Sequence, residues 1–583
     1  MKKIFYILTA ALLLTGALLT TGCTSDDTAI DNNAAKTVTF TATLAPKGGD
    51  DATRAITVND QGTASETLTT TWAMGEVIAI YYEEGYIAPA TVQTVNPDGS
   101  ATISGTFLSN RMPNDGSAAK FIYPAYLMDL NGNLRFSYIV NGMGLCHQYG
   151  NLTGSNSIST GNGSNFSGGV CDLCIGNGTL AVDGSNVTVN GTVTMENEVC
   201  ICKFHFALDE GTGMGMGGGE HTFRTVTIDD GDGHIYTITS DRPDDQIGGA
   251  TRGFKSTDDI YVAMLPIENK TVTFSYTETQ SSGEVTYRFF KSNVTLEKGK
   301  FYRNLGTITM VKSNSVTLTS STGELTLHNG DILTGTGGTS THVTIDDGAT
   351  IMLLNATIPG RAVDNASDTW WAGITCTGDA NIILAGGSAN SVKGYHCDFP
   401  GIIVPSGKTL TILGNGSLTA TSGTNTAQGY GAGIGGKANE TCGNIKIEGG
   451  TIIATGGNLG GAGIGGCYNG SCGNITISGG TVTATGGDRA AGIGSGWNGR
   501  FASINIGSGI TRVTATRSND FDNVPVGKGY GDQGSGAVTI DGQTLSDAQT
   551  EGTADLPTFP NLQVVKSDGG GITNKTWTLT PAP

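Results

Sequence analysis

Hydrophobic and polar residues alternate in short runs along most of the chain. "TVTFTATL" at Thr37–Leu44 alternates strictly, and similar runs begin with "VIAIYY" at Val77, "KFIYPAY" at Lys120 and "CICKFHF" at Cys200. A period of two is typical of a strand with one buried face. Because no convincing helical period precedes residue 312, the pattern predicts an all-β protein.

The second half of the chain repeats itself about every 30 residues. "GAGIGGKANETCGNIKIEGGTIIATGG" from Gly431 is followed by "GAGIGGCYNGSCGNITISGGTVTATGG" from Gly461. The Gly-Ile step, or its equivalent, recurs with separations of 28, 32, 30, 29 and 33 residues at Ile374, Ile402, Ile434, Ile464, Ile493 and Val526. Repeats of this length, with two or three short strands parted by glycines, predict a C-terminal parallel β-helix of about 30-residue coils.

A length of 583 residues predicts several domains. The β-rich part before the repeats has the length of two β-sandwich domains, and the glycine-rich stretch Asp209–His221 marks their junction. The predicted divisions are a signal at 1–23, a tether at 24–36, sandwiches at 37–208 and 209–312, and the β-helix at 313–583.

Composition and charge exclude some functions. Glycine accounts for 91 residues, and the formal net charge is -19 with no basic cluster. A phosphate backbone would be repelled, so we expect no nucleic acid partner. The glycine-rich stretch at Asp209–His221 lacks the lysine and the following helix of a phosphate loop. "IDDGDGH" at Ile228–His234 could be a calcium loop, but it fits a hairpin tip more simply. We expect no cofactor.

The N-terminal segment "MKKIFYILTAALLLTGALLTTGC" has a basic start, a short apolar run and small residues before Cys23. It resembles a bacterial lipoprotein signal. In this interpretation Cys23 is lipidated and anchors the protein in the outer membrane. The following "TSDD" resembles an acidic signal for the outer face of that membrane. The alternative is an ordinary secretory signal that is cut elsewhere.

The remaining cysteines leave alternatives open. Cys171 with Cys174 and Cys200 with Cys202 could supply four zinc ligands. In an oxidising compartment, local disulfides or buried thiols are the simpler interpretation, and Cys146 is a further partner.

Cys442 and Cys472 occupy the same place in adjacent repeats. We therefore expect a stacked pair or a disulfide there, and no metal is implied.

Four segments resemble the fimbrillin (Mfa-like) family, the subunits of type V pili of Gram-negative gut and oral anaerobes. They are "TWAMGEVIAIYY" at Thr71–Tyr82, "AAKFIYPAY" at Ala118–Tyr126, "DDIYVAMLP" at Asp258–Pro266 and "VTLEKGKFYRNLGTITM" at Val294–Met310. The resemblance covers about 37–312. It implies a lipoprotein with two β-sandwich domains that assembles with other pilus subunits by donor-strand exchange.

Members of this family are cut after an arginine in the first strand region, which opens a groove for the donor strand of a neighbour. The matching residue here is Arg54 in "DATRAI". In the family the donor strand lies at the C-terminus, but here that end continues into the predicted β-helix. The resemblance therefore implies a subunit that accepts a strand and does not donate one, as at a pilus tip.

The repeats, together with "GIIVPSGKTLTILGNGSLTATSG" from Gly401, are similar to right-handed β-helix modules described as carbohydrate-binding. This resemblance spans about 313–545 and implies host or bacterial glycans as ligands.

Equal repeat positions stack in a β-helix, so residues four places after each repeat isoleucine or valine should form a column. They are Ala438, Tyr468, Trp497 and Tyr530, with Asn469 and Asn498 beside them. Aromatic faces could hold successive sugar rings while the asparagines bond to hydroxyls. The alternative is that the aromatic rings only pack on one another. Trp370 and Trp371 are adjacent on a strand approach, so at most one is free for a ligand.

The sequence thus favours a surface adhesin, and two alternatives remain. A polysaccharide-degrading lyase or hydrolase needs clustered carboxylates. Gly431–Ala515 contains only Glu440, Glu448 and Asp488, at unmatched repeat positions. Asp346 with Asp347 and His396 with Asp398 are the remaining candidates, and both pairs fit turns or coil corners, so we expect no catalytic activity. The other alternative is a structural spacer that binds nothing.

Overall fold

A computed structural model provides the structure of the chain. It describes residues 37–45, 57–58, 72, 74–83, 86–123, 147–148, 174–184, 186–209, 222–223, 225–239, 254–255, 260–280, 283–302, 305–361, 370–423, 428–518, 523–532, 534, 536–569 and 571–583. The predicted signal with Cys23, the tether 24–36, Arg54, Cys146 and Cys171 lie outside the described residues.

Eight of the first ten strands form the N-terminal sheet. In chain order β1 to β10 are Thr37–Leu44, Thr57–Val58, Val77–Tyr82, Tyr86–Val95, Ala101–Leu108, Ala118–Tyr123, His147–Gln148, Cys174–Asp183, Asn186–Val193 and Met195–Asn197. A 3₁₀ turn, Ser109–Arg111, follows β5. Eight strands form one sheet in the order β10-β8-β6-β3-β4-β5-β1-β9, and β8 also pairs with β9. The sheet therefore closes on itself around one core that contains Phe40, Phe107 and Phe121.

The next ten strands form most of the second sheet. In chain order β11 to β20 are Cys200–Asp209, Thr222–Phe223, Thr225–Asp229, Ile235–Thr239, Phe254–Lys255, Ile260–Met264, Ile267–Gln280, Gly283–Leu296, Lys300–Tyr302 and Thr307–Ser313. The order is β14-β13-β17-β18-β20-β11-β16-β7, while β19 pairs with β11 and β2. Strands β12 and β15 pair separately.

The position of β11 changes the predicted boundary between the first two domains. This strand, Cys200–Asp209, pairs with β16, β19 and β20 of the second sheet. The change of sheet therefore lies between Asn197 and Cys200, and not after residue 208. Alternation alone cannot assign a strand to one of two neighbouring sheets. The boundary was predicted at the glycine-rich stretch that follows β11, whereas the change of sheet precedes β11.

The rest of the chain consists mainly of the stacked coils of a parallel β-helix. In chain order β21 to β42 are Ser315–Leu318, Glu324–Leu327, Ile332–Thr336, His342–Ile345, Ala349–Ile358, Ile374–Cys376, Ala380–Leu384, Ala389–Lys393, Ile402–Ile403, Thr409–Gly414, Ser417–Thr421, Ile434–Gly435, Asn444–Ile447, Thr451–Thr455, Ile464–Gly465, Cys472–Ile477, Gly480–Thr485, Ile493–Gly494, Phe501–Ile506, Ile510–Thr516, Val526–Gly527 and Val538–Ile540. One parallel stack is β22-β24-β26-β29-β32-β35-β38-β41, and two more run through β30-β33-β36-β39 and β28-β31-β34-β37-β40.

The register of this β-helix agrees with the sequence repeat. The paired residues along the first stack are Ile374 with Ile402, Ile402 with Ile434, Ile434 with Ile464, Ile464 with Ile493, and Ile493 with Val526. All six are fully buried. The predicted C-terminal β-helix and the all-β class are confirmed.

A column of glycines turns the chain after each of these buried residues. Gly435 has a φ of 136°, and the equivalent Gly465 and Gly494 have φ values of 129° and 139°. A Cβ on Gly435 would lie 2.1 Å from the carbonyl oxygen of Gly465 in the next coil. Only glycine combines this backbone conformation with such a close approach between coils.

The C-terminal end of the β-helix is covered by a different element. It consists of β43 (Gln543–Leu545), the short helix α1 (Asp547–Glu551), β44 (Leu562–Gly569) and β45 (Ile572–Pro581). Strand β45 pairs antiparallel with β40 and buries Trp577 completely. The predicted segment 313–583 therefore contains parallel coils followed by an antiparallel cap. No helix in the described part of the chain is long and apolar enough to cross a membrane.

The cysteine pattern is partly as expected. Cys442 and Cys472 form a disulfide between adjacent coils, which is one of the two predicted arrangements. Cys174, Cys200 and Cys202 are buried, and Cys200 and Cys202 are free thiols. Burial raises the pKa of Cys202 well above its usual value. Among the described residues, these three cysteines belong to no group of potential metal ligands.

Candidate functional site

The loop after each short strand of the first β-helix stack has the same conformation in three coils. Asn439, Asn469 and Asn498 follow one another at left-handed φ values of 63°, 52° and 55°. The amide of Asn469 donates to the carbonyl oxygen of Trp497 at 2.9 Å, and that of Asn498 to Tyr530 at 2.8 Å. These bonds hold successive loops in register, so the side chains of equal positions lie along one edge.

The predicted aromatic positions lie together on this edge. The rings of Tyr468 and Trp497 meet edge to face with centroids 5.0 Å apart. Both side chains are half-buried. Tyr530, in the next coil, keeps 37% of its surface exposed. The predicted column therefore exists as a row of rings, and Tyr468 and Trp497 also pack on each other.

Two further side chains complete the row, and sequence reasoning missed both. Tyr430 lies 5.2 Å from Tyr468 between ring centroids. The Arg489 guanidinium carbon lies 4.2 Å from the Trp497 centroid and 5.7 Å from that of Tyr530. We call Tyr430, Tyr468, Arg489, Trp497 and Tyr530 the aromatic edge.

Backbone bonds explain why these two residues join the column. The amide of Tyr468 donates to the carbonyl oxygen of Tyr430 at 3.1 Å, and that of Tyr530 to Arg489 at 2.8 Å. Tyr430 and Arg489 each lie four residues before a repeat isoleucine. This position could have been found from the sequence. The residue four places before the repeat isoleucine of one coil lies beside the residue four places after the repeat residue of the next coil.

Gly460 occupies the same position in the intervening coil. Its φ is 140°, and a Cβ there would lie 3.0 Å from the Cβ of Trp497 and 3.5 Å from that of Tyr468. A side chain at residue 460 would therefore enter the space between these two residues. Glycine is what allows Tyr468 and Trp497 to meet directly.

The asparagines beside the aromatic edge bond to one another. The amide Nδ2 of Asn469 donates to Oδ1 of Asn439 at 3.2 Å, and Asn498 donates in the same way to Asn469 at 3.2 Å. Each asparagine amide has two donor hydrogens and two acceptor lone pairs. The ladder therefore uses part of their capacity and leaves the rest towards solvent, because all three side chains are exposed.

A second aromatic cluster lies one coil earlier. Trp370, 39% exposed, stacks on the imidazole of His396 with centroids 3.7 Å apart and planes 7° apart. The Trp371 indole instead donates to the carbonyl oxygen of Thr341 at 3.1 Å and lies beside Tyr395. The adjacent tryptophans thus have different environments, and Trp370 is the more exposed of the two.

Ligand atoms of His396, Cys397 and Asp398 lie within 4.8 Å of one another. The Nδ1 atom of His396 already accepts a hydrogen bond from the amide of Asp398 at 3.2 Å. The Trp370 ring covers one face of the same imidazole. This geometry describes a packed coil corner, and we assign no metal to it.

The other candidate carboxylates stabilise turns. Asp230 is fully buried in the β13–β14 hairpin. It accepts bonds from the amides of Asp232 and His234 at 2.8 and 3.1 Å and contacts Nδ1 of His234 at 2.8 Å. These contacts commit it to the hairpin tip that the simpler interpretation of "IDDGDGH" predicts.

Asp347 accepts from Lys408 Nζ at 2.9 Å and from the amide of Asp379 at 2.8 Å. The bond from Lys408 is the main reason that the pKa of Asp347 lies below its usual value. A carboxylate held ionised in an ion pair is a poor general acid. Its neighbour Asp346 contacts Nδ1 of His328 at 2.5 Å.

Residues 445–470 and 475–497 match a family model described as a beta helix repeat. These stretches include Tyr468 and Trp497. No curated protein matches the chain.

Three solved structures are similar to parts of this chain. A candidate cell adhesion protein from Bacteroides fragilis is 10% identical, with 45% of this chain and 88% of that chain covered and a TM-score of 0.23. A fimbrial protein from Bacteroides ovatus is 15% identical, with 44% and 50% covered and a TM-score of 0.17. A candidate cell adhesion protein from Bacteroides uniformis is 14% identical, with 44% and 88% covered and a TM-score of 0.20.

Proposed function

We propose that this protein is a cell-surface adhesin whose β-helix binds glycans through the aromatic edge. The observation that carries the proposal is the row of aromatic rings in successive coils, with Arg489 between Trp497 and Tyr530. Parallel coils repeat at roughly 4.8 Å, so the row presents ring surface along the β-helix axis. Extended polysaccharides fit a linear surface of this kind.

The chemistry of the edge agrees with a sugar ligand. Pyranose C–H groups pack on aromatic faces, and the tyrosine hydroxyls, the Arg489 guanidinium and the asparagine amides bond to sugar hydroxyls. The Tyr430 hydroxyl is protonated at neutral pH and can donate a hydrogen bond, and burial raises its pKa further. The competing explanation is that the rings only stabilise the loops, which aromatic pairs do by about 1 kcal/mol each.

Single replacements in the full chain separate these explanations. Tyr468→Ala and Trp497→Ala should each abolish retention of glycans on an array of host and bacterial polysaccharides, with little change in melting temperature. Trp370→Ala is the matched control, because it removes an exposed tryptophan of the same β-helix outside the aromatic edge. A large loss of stability with unchanged glycan retention would identify the edge as a packing device and the β-helix as a spacer.

We further propose that the protein is a tip or accessory fimbrillin that accepts a strand from another subunit. Strand β1 lies between β5, to which it is antiparallel, and β9, to which it is parallel. Its residues Phe40, Ala42 and Leu44 are buried. Removal of β1 after a cut at Arg54 would leave a groove with unpaired backbone groups, which an incoming strand can satisfy. Mass spectrometry of assembled protein that finds residues 24–54 intact would contradict this.

The anchor is proposed from the sequence around Cys23, since acyl chains on that residue would hold the protein at the outer membrane. Cys23→Ser should release the protein from the membrane fraction. Unchanged partitioning into detergent would show that Cys23 carries no lipid.

A further inference from the structure

A cleft separates the second sheet from the β-helix beside the place where the two are in contact. Phe290 on β18 packs against Met352, Ile383 and Ala385 on an outer face of the β-helix. Nearby, Nδ2 of Asn415 donates to the carbonyl oxygen of Asn269 at 2.8 Å. These contacts hold a turn of the second sheet over a column of turns in the β-helix.

The open cleft has a volume of about 440 Å³. Its walls are Asn269 and Asn293 from the second sheet and, from the β-helix, Asn415, the turns at 448–451, 478–481 and 509, and Thr511. This volume lies within the range of small-molecule sites, and such sites occur preferentially at domain interfaces. The lining contains amides, hydroxyls and one carboxylate, and it contains no aromatic ring.

Five polar side chains of this cleft keep their hydrogen-bonding capacity. Within the described part of the chain, the side chains of Asn293, Glu448, Thr451, Thr481 and Thr511 make no hydrogen bond or ion pair. Each is at least partly exposed. Several unpaired donors and acceptors thus line one open cleft. A ligand with hydroxyl groups on several sides could bond to all of them at once.

Glycines leave the backbone of the β-helix accessible in the cleft. Gly449 and Gly479 lie in successive turns, where a Cβ would come within 2.7 Å and 2.3 Å of backbone oxygens of neighbouring coils. Side chains are therefore excluded at these positions, and a ligand can approach the backbone closely. The hydroxyls of Thr451 and Thr481, one coil apart at paired positions of β34 and β37, stand beside this floor.

We propose that this interdomain cleft is a second carbohydrate subsite, which binds a neutral sugar unit; the inference rests on the proposed glycan-binding function. Asn293 and the threonine hydroxyls both donate and accept, while the Glu448 carboxylate accepts from two vicinal hydroxyls. Glu448 and the chain's net charge of -19 act against an anionic sugar. The cleft therefore selects neutral sugar units.

The test compares two isosteric replacements on one strand of the full-length protein. Thr481→Val removes a cleft hydroxyl, whereas Thr483→Val removes a hydroxyl of the same face of β37 outside the cleft. The array first identifies neutral glycans that the wild-type protein retains. Affinity is then measured for these glycans and for the matching glycans that carry a uronic acid in place of a neutral sugar. Thr481→Val and Glu448→Gln should each weaken neutral glycan binding about tenfold, and Thr483→Val should not. Glu448→Gln should also narrow the preference for neutral over acidic glycans.

Three other outcomes count against the cleft, and they can be told apart. If Trp497→Ala abolishes binding and the cleft variants bind like wild type, the cleft subsite is wrong and the proposed function stands. If Thr481→Val, Glu448→Gln and the control Thr483→Val lose affinity equally, the effect is not specific to the cleft. If the wild-type chain retains no glycan, the proposed function is wrong and the cleft subsite falls with it.

Discussion

The side chains of Asn469 and Asn498 are joined across adjacent coils, with Nδ2 of Asn498 donating to Oδ1 of Asn469 at 3.2 Å. The same amide of Asn469 continues the ladder to Asn439. Residues that the sequence offers as sugar contacts therefore also stabilise the loops that carry the aromatic edge. Stability and binding are linked at these positions, and variants must be chosen to separate the two.

Asn469→Ala should lower the free energy of unfolding of the β-helix by about 2–3 kcal/mol. The change removes two ladder bonds, worth roughly 1 kcal/mol each, and places alanine at a left-handed φ. Asn469→Gly removes the same bonds without the conformational cost, so it should be about 1 kcal/mol less harmful. Urea unfolding of the two variants measures the difference. Equal stability of both with wild type, with loss of glycan binding, would instead make Asn469 a direct sugar contact.

Gly460→Ala should destabilise the aromatic edge by about 1–3 kcal/mol. The new Cβ would lie 3.0 Å from that of Trp497 at a φ of 140°. Gly348→Ala is the control, since Gly348 also has a positive φ of 79° but no heavy atom within 4 Å of the added Cβ. Thermal unfolding and near-UV circular dichroism of the tryptophans would report the change. Identical effects at residues 460 and 348 would show that only backbone strain matters.

The coil register of the β-helix could be predicted from the sequence because successive coils repeat a buried aliphatic residue followed by a glycine. Ile434, Ile464 and Ile493 are buried at equivalent positions, and the glycines after them have no alternative residue. The column of Tyr468, Trp497 and Tyr530 follows directly from that register.

The parts that sequence reasoning missed depend on contacts between different positions. Tyr430 and Arg489 join the aromatic edge because the loop before the short strand of one coil lies beside the loop after the short strand of the next coil. The assignment of β11 depends on its long-range pairing with β16 and β20. The cleft beside Glu448 depends on how the second sheet sits against the β-helix. None of these relationships produces a local pattern of hydrophobic and polar residues.

Removal of the Cys442–Cys472 disulfide should lower the stability of the oxidised protein by about 3 kcal/mol. The bond closes a loop over a sequence separation of 30 residues, and its loss increases the entropy of the unfolded chain. The double replacement of both cysteines by alanine should unfold at the same urea concentration with or without a reductant. Cys467→Ala serves as control, because Cys467 is a buried free thiol of the same coil region. A reductant that leaves wild-type stability unchanged would contradict the prediction.

Strand β1 fills the groove between β5 and β9. Eight residues of this strand pair with β5, and the indole of the buried Trp72 donates to the carbonyl oxygen of Ala45 just beyond it at 3.0 Å. After cleavage following Arg54 and removal of the released segment, a synthetic peptide with the sequence of Thr37–Leu44 should bind the empty groove. It should restore the register of β1, because Phe40 and Leu44 fill the same core positions.

A peptide carrying Phe40→Asp is the matched control, since it keeps the backbone donors and acceptors but would bury a charge in the core of the first sheet. It should bind at least about tenfold more weakly in fluorescence anisotropy, because burial of a phenylalanine contributes roughly 1.5–3 kcal/mol. Uncleaved protein should bind neither peptide, as β1 already occupies the groove. Equal binding of the two peptides, or binding to uncleaved protein, would show that the groove left by β1 does not accept a strand, and the proposed assembly by strand exchange would then lack its acceptor.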